Sequence, residues 1–170
     1  PTIQTLFAHQ DIPQLVQYLR RSVKFLGLVM GLPIMLICGL SRPLLHVWLG
    51  PEFVHLAPLL TLMTFHLAIN LGILPLSAVQ IASNKVKVPG LVTCGMGLGN
   101  LGLAIFLAGS LGWGMYGVAA AGAIMLTANN LFFTPVYAAK ILGVGLGTFY
   151  RETIPIIATV FSFVAIGWKV

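Results

Sequence analysis

Charged side chains are scarce in this sequence. Of its 170 residues only 7% are Asp, Glu, Lys or Arg, whereas 58% are hydrophobic and the mean hydropathy is +1.00. A soluble domain carries roughly a quarter charged residues, because its surface must be hydrated. The scarcity therefore argues against a cytosolic enzyme, a disordered tail or a disulfide scaffold, and it indicates a polytopic membrane protein.

Acidic residues and cysteines are the scarcest of all. Three Asp and Glu stand against nine Lys and Arg, which gives a net charge of +6. The basic residues are dispersed and do not form a stripe interleaved with aromatic side chains, so we expect no nucleic-acid partner. Cys38 and Cys94 each lie within an apolar run, where a thiol is expected to pack rather than to form a bridge or bind a metal.

Motifs that indicate chemistry are also lacking. The letters Gly97-x-Gly99-x-x-Gly102 match a dinucleotide-binding fingerprint, but they lie inside an apolar run, and no acidic residue occurs between Glu52 and Glu152 to bind a ribose. The histidines do not have the spacing of a metal site, and no Ser/His/Asp set of a hydrolase is present. We therefore expect no enzyme activity, no metal and no cofactor.

Long apolar runs are what the sequence has in abundance. Five of them are close to the roughly 20 residues that a helix needs to cross a bilayer core. The first begins with Asp11 as a helix N-cap and Pro13 in the first turn, and Trp48 in the connector that follows suits the headgroup level. The expected fold class is all-α, a polytopic transmembrane helix bundle. The predicted spans are 13–40, 55–82, 88–108, 115–139 and 153–168.

Prolines and small residues are expected to shape these spans. Pro33, Pro75 and Pro135 lie within or near the ends of spans, where each loosens one backbone hydrogen bond. Plain kinks and functional hinges are both consistent with that placement. Close approach of helices is predicted by two pairs of small residues spaced four apart, Gly95 with Gly99 and Gly117 with Ala121.

Lys and Arg are unequally divided between the two sides of the predicted bundle. Seven fall on the side of the amino end and two on the other. Because excess Lys and Arg stays in the cytoplasm, we expect the amino end to be cytoplasmic. The seven are Arg20, Arg21, Lys24, Lys85, Lys87, Lys140 and Arg151, and the two are Arg42 and Lys169.

Polar side chains within the spans are the candidate functional residues. They are His66 and Asn70 in the second span, Asn100 in the third, and Thr127, Asn129 and Asn130 in the fourth. One interpretation is that their hydrogen bonds only hold the bundle together, at about 0.6–2 kcal/mol each. The other is that they line a hydrated path for a sugar, to which His66 and Asn70 contribute from one helix face because they are four residues apart.

Several stretches resemble one family of transporters in their order and spacing. These are Asp11-Ile-Pro-Gln-Leu15 with Arg20-Arg21, then Gly31-Leu-Pro33, then Pro43-Leu-Leu-x-x-Trp48-Leu-Gly50-Pro-Glu-Phe53, and later Gly99-Asn100-Leu-x-Leu103. Together they are similar to the carboxy-terminal half of polysaccharide flippases for O-antigen or other oligosaccharide repeat units. That superfamily also contains multidrug and toxin extrusion antiporters and the lipid II flippase.

The resemblance implies a bundle of about 12–14 helices in two pseudo-symmetric lobes around a cavity, with residues 1–170 supplying most of the second lobe. It implies movement of undecaprenyl-pyrophosphate-linked oligosaccharide across a bacterial inner membrane. The family's cationic residues that bind pyrophosphate would lie largely before Pro1, so we expect the chain to be part of a longer one. Its expected partners are the bilayer, the lipid-linked glycan and the missing amino-terminal lobe.

Two other functions stay open at this point. A cation-coupled multidrug antiporter of the same superfamily needs a carboxylate within the membrane, and the five predicted spans contain none. A structural membrane subunit that transports nothing would use the buried amides for packing alone.

Overall fold

A computed structural model describes residues 2–150, and within them the chain is helical without a β-strand. The predicted all-α fold class is therefore confirmed. The α-helices of this part of the chain are α1 (Thr2–Ala8), α2 (Ile12–Gly39), α3 (Ser41–Trp48), α4 (Ala57–Gly72), α5 (Leu74–Ala82), α6 (Lys87–Ile105), α7 (Met115–Ala128) and α8 (Thr134–Leu142).

Short helical segments of other types connect several of these helices. Pro51–Leu56 is a 3₁₀-helix that leads directly into α4, and a second 3₁₀ turn covers Leu146–Thr148. Phe106–Ser110 and Asn129–Phe133 are π-helical, so α6 ends in a widened turn, and another widened turn joins α7 to α8. Such π segments occur frequently at functional sites.

Four continuous stretches in residues 2–150 are long and apolar enough to cross a membrane: Ile12–Gly39, Pro51–Gly72, Lys87–Ser110 and Met115–Leu142. They lie where the first four spans were predicted. The last of them continues beyond residue 139, so Lys140 belongs to the final turn of α8 instead of the following loop. The predicted fifth span, 153–168, lies outside the described residues.

The second predicted span, 55–82, is divided between two helices. α4 ends at Gly72, Ile73 follows as its C-cap, and a separate helix α5 begins at Leu74. Pro75 stands in the first turn of α5, where its missing N–H costs nothing but where it cannot prolong the hydrogen bonds of α4. Pro33, by contrast, lies inside α2, which continues to Gly39.

The start of α2 follows the prediction closely. Asp11 is the N-cap, and its carboxylate accepts a hydrogen bond of 3.2 Å from the backbone N–H of Gln14. Pro13 occupies the first turn, where a helix has no use for its missing N–H. This helix crosses the bundle and presents three apolar side chains, Leu15, Leu19 and Val23, to the main core.

The main hydrophobic core lies at the end of the bundle that holds the amino end of α2. It joins α2 to the carboxy-terminal end of α4, to α5 and α8, and to the segment after α8. The buried members are Leu15, Leu19, Val23, Ile69, Ile73, Leu76, Val79, Ala138, Ala139, Leu142 and Phe149. Since it draws on so many elements, this core fixes α4, α5 and α8 relative to α2.

Glycines bring two helix pairs into backbone contact. A methyl group placed on Gly72 would lie 3.2 Å from the Gly27 Cα, so α2 and α4 touch here without side chains. A methyl group on Gly117 would lie 2.6 Å from the Ala108 backbone nitrogen, which confirms the predicted close approach there. Of the other predicted pair, Gly99 faces the Met125 side chain on α7, whereas a methyl group on Gly95 would meet no atom of another described element within 4 Å.

The two cysteines differ in their surroundings. Both thiols are free, Cys38 half-buried on α2 and Cys94 exposed on α6. Packing was therefore the right expectation for Cys38 and the wrong one for Cys94, because α6 buries little of its surface against residues 2–150.

Candidate functional site

A hydrogen-bonded pair of polar side chains lies on α4 shortly before the break between α4 and α5. His66 and Asn70 are both buried, at 8% and 5% exposure, and the Asn70 Nδ2 lies 2.9 Å from the His66 Nδ1. They share a face of α4, as their spacing of four predicts. The ring of Phe65 stands edge-on to the imidazole, with centroids 6.2 Å apart. The pair is thus close to halfway along residues 51–82, away from both ends.

The fourth apolar stretch extends this pair into a chain of four side chains. Asn130 donates from its Nδ2 to the Asn70 Oδ1 at 2.9 Å. Thr134 in turn donates to the Asn130 Oδ1 at 3.4 Å. We call His66, Asn70, Asn130 and Thr134 the polar chain. It links α4 to the π segment Asn129–Phe133 and to the first residue of α8.

Two helix interruptions flank the polar chain. Asn70 precedes the α4–α5 break at Ile73 by three residues, and Asn130 lies within the π segment that precedes α8. Side chains repair part of the disturbed backbone: Tyr150 donates to the Leu131 carbonyl at 2.7 Å. Burial raises the pKa of the Tyr150 phenol, which keeps this donor protonated. Irregular backbone at membrane depth is tolerated only inside protein or beside water.

Three further polar side chains of the interior lack partners in the described residues. The Oδ1 of Asn100 on α6, the Oγ1 of Thr127 on α7 and the Oδ1 of Asn129 are buried and accept no hydrogen bond. We call them the open acceptors. In hydrocarbon an unsatisfied acceptor costs free energy, so these atoms are suited to donors supplied from elsewhere, such as water or the hydroxyls of a ligand.

The structure brings together three of the five predicted site residues, His66, Asn70 and Asn130. Asn129 is adjacent in the π segment, and its backbone carbonyl accepts from Thr134 at 3.4 Å, while Asn100 stands on α6 as an open acceptor. Sequence reasoning missed Thr134 as a member of the chain. The signal was its spacing of four from Asn130.

Gln80 was missed as well. It is 7% exposed on α5, and its Nε2 is a buried donor with no partner in residues 2–150. Gln80 lies three residues before the Ser83–Lys85 turn, where polar residues are ordinary in the sequence of a surface turn. Its sequence position therefore gave no reason to expect a buried amide. Its burial against α2 and α8 could not be inferred without the break at Ile73.

Most of the described cations belong to the end of the bundle that holds the amino end of α2. Arg20, Arg21 and Lys24 line a cleft of about 250 Å³ together with Gln17 on α2. Lys85, Lys87 and Lys140 belong to that same end of the bundle, and Arg42 on α3 to the opposite one. Arg151 and Lys169 lie outside the described residues.

These features define a polytopic, all-helical membrane protein with a polar interior. No family model and no solved structure matches the chain. It is similar to the uncharacterized membrane protein EpsK of Bacillus subtilis (strain 168), with 37% identity over 164 residues. These residues are 96% of this chain and 32% of EpsK, so the chain spans about a third of the length of that relative.

Proposed function

We propose that the chain is one lobe of a flippase that moves undecaprenyl-pyrophosphate-linked oligosaccharide across the bacterial inner membrane, for the synthesis of lipopolysaccharide or another polysaccharide. The observation that carries the proposal is the meeting of two interrupted helices at a polar chain, which lies near the middle of residues 51–82 and of Met115–Leu142. Binding sites of secondary transporters typically lie at such interruptions near the membrane midplane. Helices that only pack against one another need neither the break between α4 and α5 nor the π segment before α8.

The chemistry of the open acceptors suits a glycan. A sugar hydroxyl both donates and accepts, so Asn100, Thr127 and Asn129 can each receive a donor from it. None of the three carries charge, so they hold a neutral saccharide without fixing it in place. Release on the other side requires such weak, multiple contacts. The protein performs no chemistry on its substrate in this mechanism and needs no cofactor.

Transport follows from rocking of two lobes. The glycan lies in the wet cavity between them while its lipid remains in the bilayer. Helix α6 offers the surface for contact outside the described bundle, because only 6% of its apolar stretch is buried in it. We assign this surface to lipid and to the amino-terminal lobe of the same protein. The positive-inside rule places the amino end in the cytoplasm.

A multidrug antiporter of the same superfamily is the second candidate. Cation coupling there requires an ionisable group within the membrane, usually a carboxylate. In the four apolar stretches the only acid is Glu52, in the 3₁₀ segment at the start of the second. A structural subunit is the third candidate, and it is favoured by the polar chain, where every bond stays inside the protein.

The test uses the full-length gene in bacteria that lack their own repeat-unit flippase. Lipid-linked oligosaccharide that reaches the outer face is quantified, with ethidium efflux measured in the same cells. We expect restored surface glycan without efflux. Efflux without surface glycan would assign the protein to the antiporters. Neither activity, with normal amounts of protein in the membrane, would favour the structural subunit.

A further inference from the structure

The hydrogen bonds of the polar chain all run in one direction. Thr134 donates to Asn130, and Asn130 donates through its Nδ2 to the Asn70 Oδ1. The Asn70 amide therefore has only its Nδ2 left for His66, and it donates to the Nδ1 at 2.9 Å. A ring nitrogen that accepts carries no proton. The imidazole is thus neutral, with its proton on Nε2.

Protonation of the Nδ1 reverses this chain. A protonated Nδ1 needs an acceptor, which Asn70 supplies by turning its amide so that the Oδ1 faces the ring. The Asn70 Nδ2 then faces Asn130, whose amide turns in the same way and donates to the Thr134 hydroxyl. That hydroxyl still has an acceptor, because the Asn129 carbonyl oxygen lies 3.4 Å away. The four side chains therefore have two arrangements in which every bond is kept.

The two arrangements differ in charge, because His66 is neutral in one and protonated in the other. How costly the protonated form is depends on the charged groups around His66. Helices α5 and α7 and the π segment Asn129–Phe133 carry no Asp, Glu, Lys or Arg, and neither does α4. Ionisable groups on the described elements that pack against α4 are bases, phenols and a thiol, with Glu52 in the 3₁₀ segment as the only carboxylate among them. They are Tyr18, Arg20, Arg21, Lys24 and Cys38 on α2, Arg42 and His46 on α3, Glu52 and His55 in the 3₁₀ segment, and Tyr116 on α7.

A protonated His66 in the described bundle has therefore no carboxylate at its depth. An unpaired charge in low dielectric is costly, and water that reaches the ring lowers that cost. Conformations that admit water to the polar chain gain in population when the proton binds. The helix interruptions at Ile73 and at Asn129–Phe133 are the points where the backbone can yield, since regular helix bonding is already broken there.

We propose that His66 is a proton-binding site, and that its occupancy sets the direction of the polar chain and opens the bundle at these two interruptions. The proposal concerns the protein's own conformations and makes no use of a substrate. It stands or falls independently of the flippase assignment. A purely structural histidine would keep its bond to Asn70 at every pH at which the protein is folded.

Nitrogen-15 spectroscopy of the ring tests the proton site. The full-length protein, labelled at histidine and reconstituted in lipid vesicles, is compared with its His66→Gln variant to identify the signals of His66. We expect the neutral ring to carry its proton on Nε2, and a second, doubly protonated form to appear as the pH is lowered from about 8 to the acid limit at which the protein stays folded. In Asn70→Leu the preference for the Nε2 tautomer is lost. A neutral ring protonated on Nδ1, or no titration over that range, overturns the proposal.

Hydrogen exchange tests the coupling to conformation. Backbone exchange of 64–76 and 129–137 is measured at pH 5 and pH 8 in the wild type and in His66→Gln, so that the intrinsic effect of pH on exchange cancels between them. At the lower pH we expect exchange at least about fivefold faster in the wild type than in the variant. His55→Gln is the matched control, because that exposed imidazole bonds only the Glu52 carbonyl nearby and should behave as wild type. Equal exchange in wild type and His66→Gln at both pH values contradicts the coupling.

Discussion

The bundle has two regions that differ in how completely they pair their polar groups and bury their apolar surface. Helices α2, α4, α5 and α8 share the main core. Three of the four members of the polar chain also lie on α4 and α8, and donors and acceptors are matched along that chain. The buried Nε2 of Gln80 on α5 is the exception in this region. Helices α6 and α7 form a pair held by backbone contact at Gly117, and two of the open acceptors belong to them. α6 buries almost nothing in the described residues outside this pair.

The difference shows which part of the described bundle already has its polar groups paired and its apolar surface buried. We call the helices that share the main core the complete region, and α6 with α7 the open region. A region with a large apolar core and, apart from the Gln80 amide, matched polar groups satisfies most of its hydrogen bonds internally. A region with buried, unpaired oxygens and a nearly unburied helix leaves hydrogen-bonding capacity and apolar area to something else. Under the proposed function, this contrast assigns the first region to stability and the second to contact with lipid, glycan and another lobe.

The largest effect is expected from a cavity in the complete region. Leu19 is fully buried in the main core, so Leu19→Ala should lower the free energy of unfolding by about 2 kcal/mol or more, through lost packing contacts. The measurement is the unfolding midpoint of the full-length protein in mixed micelles with increasing dodecyl sulfate.

Leu101→Ala is the matched control for that substitution. Leu101 is 59% exposed on α6 in the described bundle, so the same change in volume should lower the midpoint less than Leu19→Ala does, with any loss arising from contacts outside this bundle. Equal losses for Leu19 and Leu101 would contradict the division into a core and an open region, and would show that α6 is packed as tightly as α2.

A smaller loss of unfolding free energy is expected at the contact between α6 and α7. Gly117→Ala places a methyl group against the backbone of Leu107 and Ala108, and overpacking of this kind costs about 1–3 kcal/mol. Gly95→Ala adds the same group on α6 where nothing lies within 4 Å, and it should be neutral or slightly stabilising because alanine favours helix. The thermal midpoints of both variants in detergent check this, and a loss at Gly95 as large as at Gly117 would argue against it.

Much of the fold could be predicted because membrane spans depend on local properties. Length and hydropathy located four spans, and the Asp11 cap and Pro13 located the start of α2 to within a residue. The break at Ile73 could not be predicted with the same certainty. Pro75 permits either a kink in one helix or two helices, and the outcome depends on how Ile73 and Leu76 pack against α2 and α8.

The candidate site was predictable only in part for a related reason. Spacing of four on one helix identified His66 with Asn70, since both belong to α4. The partnership of Asn70 with Asn130 joins residues 60 apart and depends on two helices that meet with a particular rotation, which composition does not encode. For the same reason, the sequence could not separate the paired amides from Asn100, whose oxygen has no partner in the described residues.

The two kinds of asparagine offer the next test. Asn70→Leu leaves the His66 Nδ1 and the Asn130 Nδ2 unpaired, which should cost about 1–3 kcal/mol of unfolding free energy and reduce the amount of folded protein. Asn100→Leu removes an acceptor that has no partner, so stability should stay the same or rise. Under the proposed function it nonetheless reduces the transfer of lipid-linked glycan. A fall in stability for Asn100→Leu equal to that of Asn70→Leu would place Asn100 among the paired amides.

The smallest effect concerns the repair of the π segment by Tyr150. Tyr150→Phe removes the hydrogen bond to the Leu131 carbonyl and should cost about 0.5–1.5 kcal/mol. Because burial raises the pKa of this phenol, the folded state holds the proton more tightly than the unfolded state. The stabilisation is therefore complete below the ordinary tyrosine pKa of about 10 and is lost as the pH rises above it.

Unfolding midpoints measured between about pH 8 and 11 check that sign. The wild type should lose stability over the upper part of this range more steeply than Tyr150→Phe, and the two should converge. Tyr18→Phe serves as the control, since that side chain is 40% exposed on α2. If Tyr150→Phe stayed parallel to the wild type at every pH, the phenol would be free of the π segment. Leu131 would then belong with the open acceptors, which would extend the open region into the segment that joins α7 to α8.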